Sequence, residues 1–219
     1  MHGKVIRSTA GRLHELLRAH APTNTLPACY DALLASWREA ERLRAIDHRE
    51  VGAPERFRDF FTRLALEPAP AVAQTLIDAH RAALAAAAIF PAHHGPLLRG
   101  LARTHRLAVV SNFDYSPTAL AILEASGVRD LFAAIVVSDH VGWRKPRPDI
   151  FRYALDATGA DAARTLFVGD KAELDVAGAH GVGMHAAWIN PHRDPLPAGL
   201  KPPEYEIRDL AELEVIAAE

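Results

Sequence analysis

The run Thr165-Leu166-Phe167-Val168-Gly169-Asp170, followed by Asp175 and then Ala177-Gly178-Ala179, sets two carboxylates at a strand-to-helix junction. At the carboxyl end of a parallel strand, such a pair can face one crevice and hold a hard cation such as Mg²⁺. Asp170 is placed to ligate the ion, and Asp175 to ligate it or orient its water. Asp175 alone would also serve as first-turn charge compensation for the helix. Val109-Val110-Ser111-Asn112 ends a second apolar run with a hydroxyl, an amide and backbone N–H groups. Those donors suit a phosphate oxygen, although strand-end turns use the same residue types. In Gly142-Trp143-Arg144-Lys145-Pro146 the proline biases Lys145 toward extended backbone, from which its side chain can reach across a crevice. An ammonium there can neutralise a phosphate and a carboxylate nucleophile together.

These residues need a scaffold that brings strand ends together. From about Thr9 to Ala88 the pattern is helical, with Leu13, Leu16 and Leu17, then Leu33, Leu34, Trp37 and Ala40 at three- and four-residue intervals. Trp37, Phe57, Phe60 and Phe61 read as the core of that lobe. From Gly95 onward, short apolar strands alternate with helices. Strands are expected at Leu107–Ser111, Ala134–Ser138, Thr165–Gly169 and His185–Ile189, and helices at Pro96–Thr104, Pro117–Ser126, Asp149–Thr158, Glu173–His180 and Asp209–Ala218. That alternation means an α/β fold, a Rossmann-like parallel sheet with helices on both faces. The domains are residues 1–90, a helical lobe, and 91–219, the α/β core. Pro191–Pro203 reads as a surface loop.

A formal net charge of −2 gives no basic patch for nucleic acid or membrane. Ala82–Ile89, the longest apolar run, is too short to span a bilayer. Cys29 is the sole cysteine, so no intrachain disulfide forms, and the expected location is cytoplasmic. His93-His94 and the other histidines show no zinc spacing with Cys29 or with one another. Lysine is rare, limited to Lys4, Lys145, Lys171 and Lys201 among 25 basic residues, which adds some weight to Lys145.

In this order the motifs resemble the haloacid dehalogenase-like (HAD) superfamily, most of whose members are Mg²⁺-dependent phosphatases. Val109-Val110-Ser111-Asn112-Phe113-Asp114 is similar to its second motif, with Ser111 as the phosphate-binding hydroxyl. Gly142-x-x-Lys145-Pro146-x-Pro148-x-Ile150-Phe151 is similar to the third, with Lys145 as its lysine. Val168-Gly169-Asp170-x₄-Asp175-Val176-x-Gly178-Ala179 is similar to the fourth. The first lobe resembles the helical cap of the subfamily that includes haloacid dehalogenases and phosphoglycolate phosphatase. The resemblance implies that Ser111, Asn112 and Lys145 bind the phosphate of a small metabolite and Asp170 and Asp175 hold Mg²⁺, under a closing cap. Dehalogenation is a lesser option, because those enzymes need no metal and the carboxylate pair is retained here.

The family's first motif is a strand ending Asp-x-Asp-x-Thr, which supplies the nucleophile and the general acid/base. No Asp-x-Asp occurs in this chain. Asp114 belongs to the second motif, while Asp31, Asp47 and Asp59 fall in the helical lobe. The first core strand is therefore expected to be missing or reduced, with Lys4 to Arg7 filling at most part of its place. Its loss should leave the strands ending at Ser111 and Gly169 with unpaired edges. Either the chain begins downstream of that motif, or it is a non-catalytic binding or regulatory relative. Lys171, where the family carries a small hydroxyl residue, sets a cation beside the expected metal site.

Overall fold

The computed structural model describes residues 2–217, so Ala218 of the expected last helix lies outside the described residues. By their contacts these residues form two compact units, one running to Ile89 and including Asp114–Ile122, the other holding the rest. The first unit contains α1 (His2–Leu17), α2 (Leu26–Asp47), α3 (Ala53–Arg63) and α4 (Pro70–Ala87). Local sequence marks their ends. Thr25 Oγ1 accepts from Ala28 N at 3.3 Å to cap α2, and His48 closes that helix in the left-handed region at φ 60°. Leu13, Leu17, Cys29, Leu33, Phe57, Phe60, Phe61, Leu76 and Ile77 are buried together, and Phe57 and Phe60 meet edge to face at 5.7 Å. Trp37 is only half-buried.

The expected strand fragment at Lys4 to Arg7 lies instead within the first two turns of α1. A four-residue strand needs a neighbouring ladder, whereas helix satisfies its backbone internally and continues the periodic pattern from Leu13 to Leu17.

The second unit begins with α5 (His94–Leu101) and β1 (Leu107–Ser111), and α6 (Ser116–Ala125) runs from the first unit into it. Then come β2 (Phe132–Val137), α7 (Ser138–Val141), α8 (Pro148–Thr158), β3 (Leu166–Gly169), α9 (Ala177–Gly181), β4 (His185–Ile189), β5 (Tyr205–Ile207) and α10 (Leu213–Ile216). All strand pairings are parallel: β1 with β2, β3 with β4, and β4 with β5. The ladder is in two pieces, β1-β2 and β3-β4-β5, and among the described residues nothing pairs with the second edge of β1 or β3. Those are the two edges the sequence marked as exposed.

Other boundaries differ from expectation for local reasons. Ser138 opens the one-turn helix α7 rather than ending β2. The expected helix from Glu173 begins as a π-turn over Ala172–Val176 before becoming α9. The final helix is a 3₁₀ turn, Leu210–Glu212, capped reciprocally by Asp209 and Glu212, followed by the single turn of α10. β5 answers to no strand expected from the sequence, since three residues after a proline-rich stretch carry almost no period-two signal.

The core of this unit gathers Val136, Ile150, Phe151, Val176, Ala179, Met184, Ala186 and Trp188, with Val110 and Phe167 packed against them. Gly178 permits this packing, because a Cβ there would stand 2.4 Å from the Phe151 ring. No helix among the described residues is long and apolar enough to cross a membrane.

Candidate active site

Lys145 stands where the sheet is divided. Its Nζ donates to the Val110 carbonyl of β1 at 2.9 Å and lies 2.8 Å from Asp175 Oδ1. The same ammonium sits 5.2 Å from the centroid of Phe167 on β3, within cation–π range. One side chain therefore touches both sheet edges and the carboxylate of the following turn. Burial sharpens the interaction: the Lys145 side chain is 13% exposed and that of Asp175 4%.

Asn112 fixes the lysine from behind. Its Oδ1 accepts from Lys145 N at 2.8 Å, and its Nδ2 donates to Lys145 O at 3.1 Å. The side-chain amide is thus engaged in both directions by one residue's backbone. The next residue is pinned as well: Phe113 N donates to the buried Ser138 Oγ at 3.0 Å, and Asp139 N donates to Phe113 O at 3.3 Å. Ser111 ends β1 opposite Val137 and is half-buried beside this clamp.

The fourth-motif turn is equally constrained. Asp175 Oδ2 accepts from Lys171 N at 2.9 Å, while Asp175 N donates to Lys171 O at 2.7 Å. This reciprocal pair fixes the entry to the π-turn, which is itself closed by Ala177 N donating to Ala172 O, a geometry that recurs at functional sites. Gly169 is required there, because a Cβ would lie 2.3 Å from Asp175 Oδ2. Asp170 is different. Its side chain is 66% exposed and 3.6 Å from the Lys171 ammonium, while its carbonyl accepts from Trp188 Nε1 at 3.2 Å. The structure thus joins Asn112, Lys145 and Asp175 directly, sets Ser111 beside them in the chain, and leaves Asp170 at the rim.

The carboxylates suit a hard divalent ion by donor chemistry. Asp175 already faces an ammonium and an N–H, so of the two carboxylates the exposed Asp170 is the one with oxygens open to an ion.

A second polar cluster, which helical periodicity could not reveal, lies in the first unit. Asp114 Oδ2 pairs with Arg56 Nη2 at 2.9 Å, and Arg44 Nη2 is 3.8 Å away. Arg44 also donates from Nε to Glu50 Oε1 at 2.9 Å and from Nη2 to Val51 O at 2.8 Å. Arg56 Nη2 lies 2.9 Å from His80 Nε2, so that nitrogen accepts and His80 Nδ1, which hydrogen-bonds to no atom of the described residues, carries the proton. Burial first, then the Arg56 charge, push the His80 imidazole down from 6.5 to about 4, with Asp114 opposing.

The unfolded chain takes up this proton near 6.5 and the folded chain only near 4, so between those values the unfolded state holds more protons. The contribution of neutral His80 is fully present above 6.5 and is lost as pH falls toward about 4, a total of about 3 kcal/mol. His80→Gln keeps an acceptor for Arg56 and should remove most of this slope. Urea midpoints measured from pH 7 to pH 4 for both proteins test it, and parallel curves would refute the assignment.

The family model of haloacid dehalogenase-like hydrolases matches residues 8–183. The pyrimidine 5′-nucleotidase YjjG of Escherichia coli is 36% identical over 119 residues, covering 54% of this chain and 52% of that protein. A glyceraldehyde 3-phosphate phosphatase of Pyrococcus abyssi is 42% identical over 62 residues, 28% of this chain and 26% of that one. The chain thus spans about half or less of the length of these curated relatives. Among solved structures, a 2-haloacid dehalogenase from Pseudomonas syringae pv. Tomato superposes with a TM-score of 0.75 at 27% identity, covering 98% of this chain and 91% of that one.

Proposed function

We propose, from the premise that the chain belongs to the haloacid dehalogenase-like hydrolase family, that its site serves hydrolysis of a small phosphate monoester. The observation that carries this reading is the Lys145 ammonium held between β1 and the buried Asp175, with the lysine's backbone clamped by Asn112, which follows Ser111 in the chain. Lys145 and Ser111 bind the phosphate oxygens, and Asn112 acts by positioning Lys145. Asp175 keeps the ammonium aimed. Asp170 would hold Mg²⁺, with Asp175 orienting the ion's water, and the ion would neutralise charge on the phosphate.

The nucleophile is a separate matter. An aspartyl-phosphate requires an aspartate beside the phosphate, and the site residues from Ser111 to Asp175 bind and neutralise without supplying the family's Asp-x-Asp. The names of the nucleotidase and phosphatase relatives favour a phosphate ester. The likeness to a 2-haloacid dehalogenase supports a second reading, halide displacement, against which the retained Asp170 weighs.

The test uses this 219-residue chain and one preceded by a strand carrying Asp-x-Asp-x-Thr, each assayed with p-nitrophenyl phosphate and Mg²⁺. Turnover is expected only in the extended protein and should fall by about 10²-fold or more in its Lys145→Ala variant, the range for removing an electrostatic stabiliser. Robust turnover by the short chain would overturn the requirement for the first motif. Phosphate binding without turnover in either protein favours a non-catalytic anion-binding role. Chloride release from a 2-chloroacid favours dehalogenation.

A further inference from the structure

His93, His94 and Asp209 meet although 116 positions separate the first from the last. His93 Nε2 is 3.2 Å from Asp209 Oδ1 and 3.4 Å from Oδ2, and the two imidazole centroids are 4.4 Å apart. One ligand atom from each residue lies within 4.8 Å of the others, the sole set of three or more such groups among the described residues. From this geometry we propose that the three side chains form a binding site for a borderline-soft divalent ion, zinc in the first instance. The site is separate from the Asp170–Asp175 turn.

The donor set selects the class of ion. Two imidazoles and one carboxylate match zinc-type sites, whereas Mg²⁺ prefers oxygen alone. Bonds of about 2.0–2.1 Å in a tetrahedron place neighbouring ligand atoms about 3.3 Å apart. The His93–Asp209 pair already stands at 3.2 Å, so an ion can replace their hydrogen bond with little movement. His94 needs only a side-chain adjustment to close the third edge, and its ring rests edge-on against Phe90 at 5.9 Å.

The carboxylate is aimed from behind. Asp209 Oδ1 accepts from Ala211 N at 2.8 Å as part of its capping box, leaving Oδ2 and the second lone pair of Oδ1 toward the histidines. His93 precedes α5 and His94 begins it, and the positive end of a helix disfavours a cation. The negative charge of Asp209 offsets that field. Asp209 also lies just past the carboxyl end of β5, so an ion here would tie the chain after β5 to the start of α5. Exposure of His93 and Asp209 gives the ion a path in, and three protein ligands leave one position for water.

Zinc titration of the full chain at pH 7.5, followed by competition with a chromogenic chelator, tests the proposal. One ion per chain is expected, with affinity reduced about tenfold or more in each of His93→Gln, His94→Gln and Asp209→Asn. Asparagine caps helices as well as aspartate does, so Asp209→Asn separates loss of a ligand from loss of the cap. Zinc should raise the melting temperature of the parent protein and leave that of the His93→Gln/His94→Gln variant unchanged. Absence of binding at about 100 µM zinc, far above the range expected of a built site, overturns the proposal. So does binding that survives in the double variant, since it would then belong to others of the 12 histidines.

Discussion

Replacing Lys145 by methionine is expected to destabilise the chain by about 3–5 kcal/mol, the cost of stranding one half of a buried ion pair. Asp175 would remain almost fully buried with its countercharge gone, and the Val110 carbonyl would lose its donor. A methionine fills the volume of the lysine stem, so packing against Phe167 survives and the loss is mainly electrostatic. The partner variant tells this apart from a packing defect. Asp175→Asn keeps an acceptor for Lys171 N and removes the charge. Combined with Lys145→Met, it should give a protein more stable than Lys145→Met alone, by about 1–3 kcal/mol, because no uncompensated charge remains. Urea denaturation of the four proteins measures the cycle. Simple additivity would show that the pair contributes nothing beyond its separate parts.

Lys145 matters to stability because of the divided sheet. In an unbroken parallel sheet a neighbouring strand would satisfy the facing edges of β1 and β3. Here a side chain reaches into that space and meets one carbonyl of β1 and one ring of β3. The lysine read from the sequence as a phosphate ligand is therefore also a structural tie.

What the sequence made legible, and what it did not, follows from the range of the forces involved. β1 at Leu107–Ser111 and β4 at His185–Ile189 were read to the residue, because each is an apolar run bounded by turn-forming neighbours. The glycines and prolines around Lys145 and Asp170 exposed the order of the site, since backbone constraints are local and leave a mark in residue type. By residue type alone Asn112 is a candidate phosphate donor. Only tertiary structure shows its amide engaged by the Lys145 backbone. The meeting of Arg56 with Asp114 and of His93 with Asp209 left no mark at all. No local pattern encodes a contact between residues 58 or 116 positions apart. The exposure of Asp170 against the burial of Asp175 was likewise hidden, since both are single carboxylates near one turn and the π-turn alone directs the second inward.

Gly169→Ala is expected to be as damaging as loss of the lysine, for a reason independent of charge. The added methyl would lie 2.3 Å from Asp175 Oδ2, 2.4 Å from its Cγ and 2.5 Å from its Cβ. A carboxylate alone could swing aside, but this one is fixed by the Lys171 N–H, the Lys145 ammonium and its own π-turn. The contact with Cβ is decisive, because no rotamer of Asp175 moves that atom. Either β3 or the turn must shift, at a cost of about 3 kcal/mol or more, the upper end of overpacking effects. Truncation at position 175 then discriminates. Asp175→Ala and Asp175→Gly each strand the Lys145 ammonium, so each double variant is compared with its own position-175 single variant. Asp175→Ala leaves Cβ in place, so adding Gly169→Ala to it should cost as much as in the parent protein, whereas over Asp175→Gly, which removes Cβ as well, that added cost should largely vanish. Thermal melts of these variants, read beside phosphate binding, decide the matter: disappearance of the Gly169→Ala cost over Asp175→Ala would place the clash on the carboxylate rather than on Cβ. The outcome bears on function because the atoms in conflict are those that keep Lys145 aimed. A methyl group at the end of β3 should therefore abolish anion binding even in a variant that still folds.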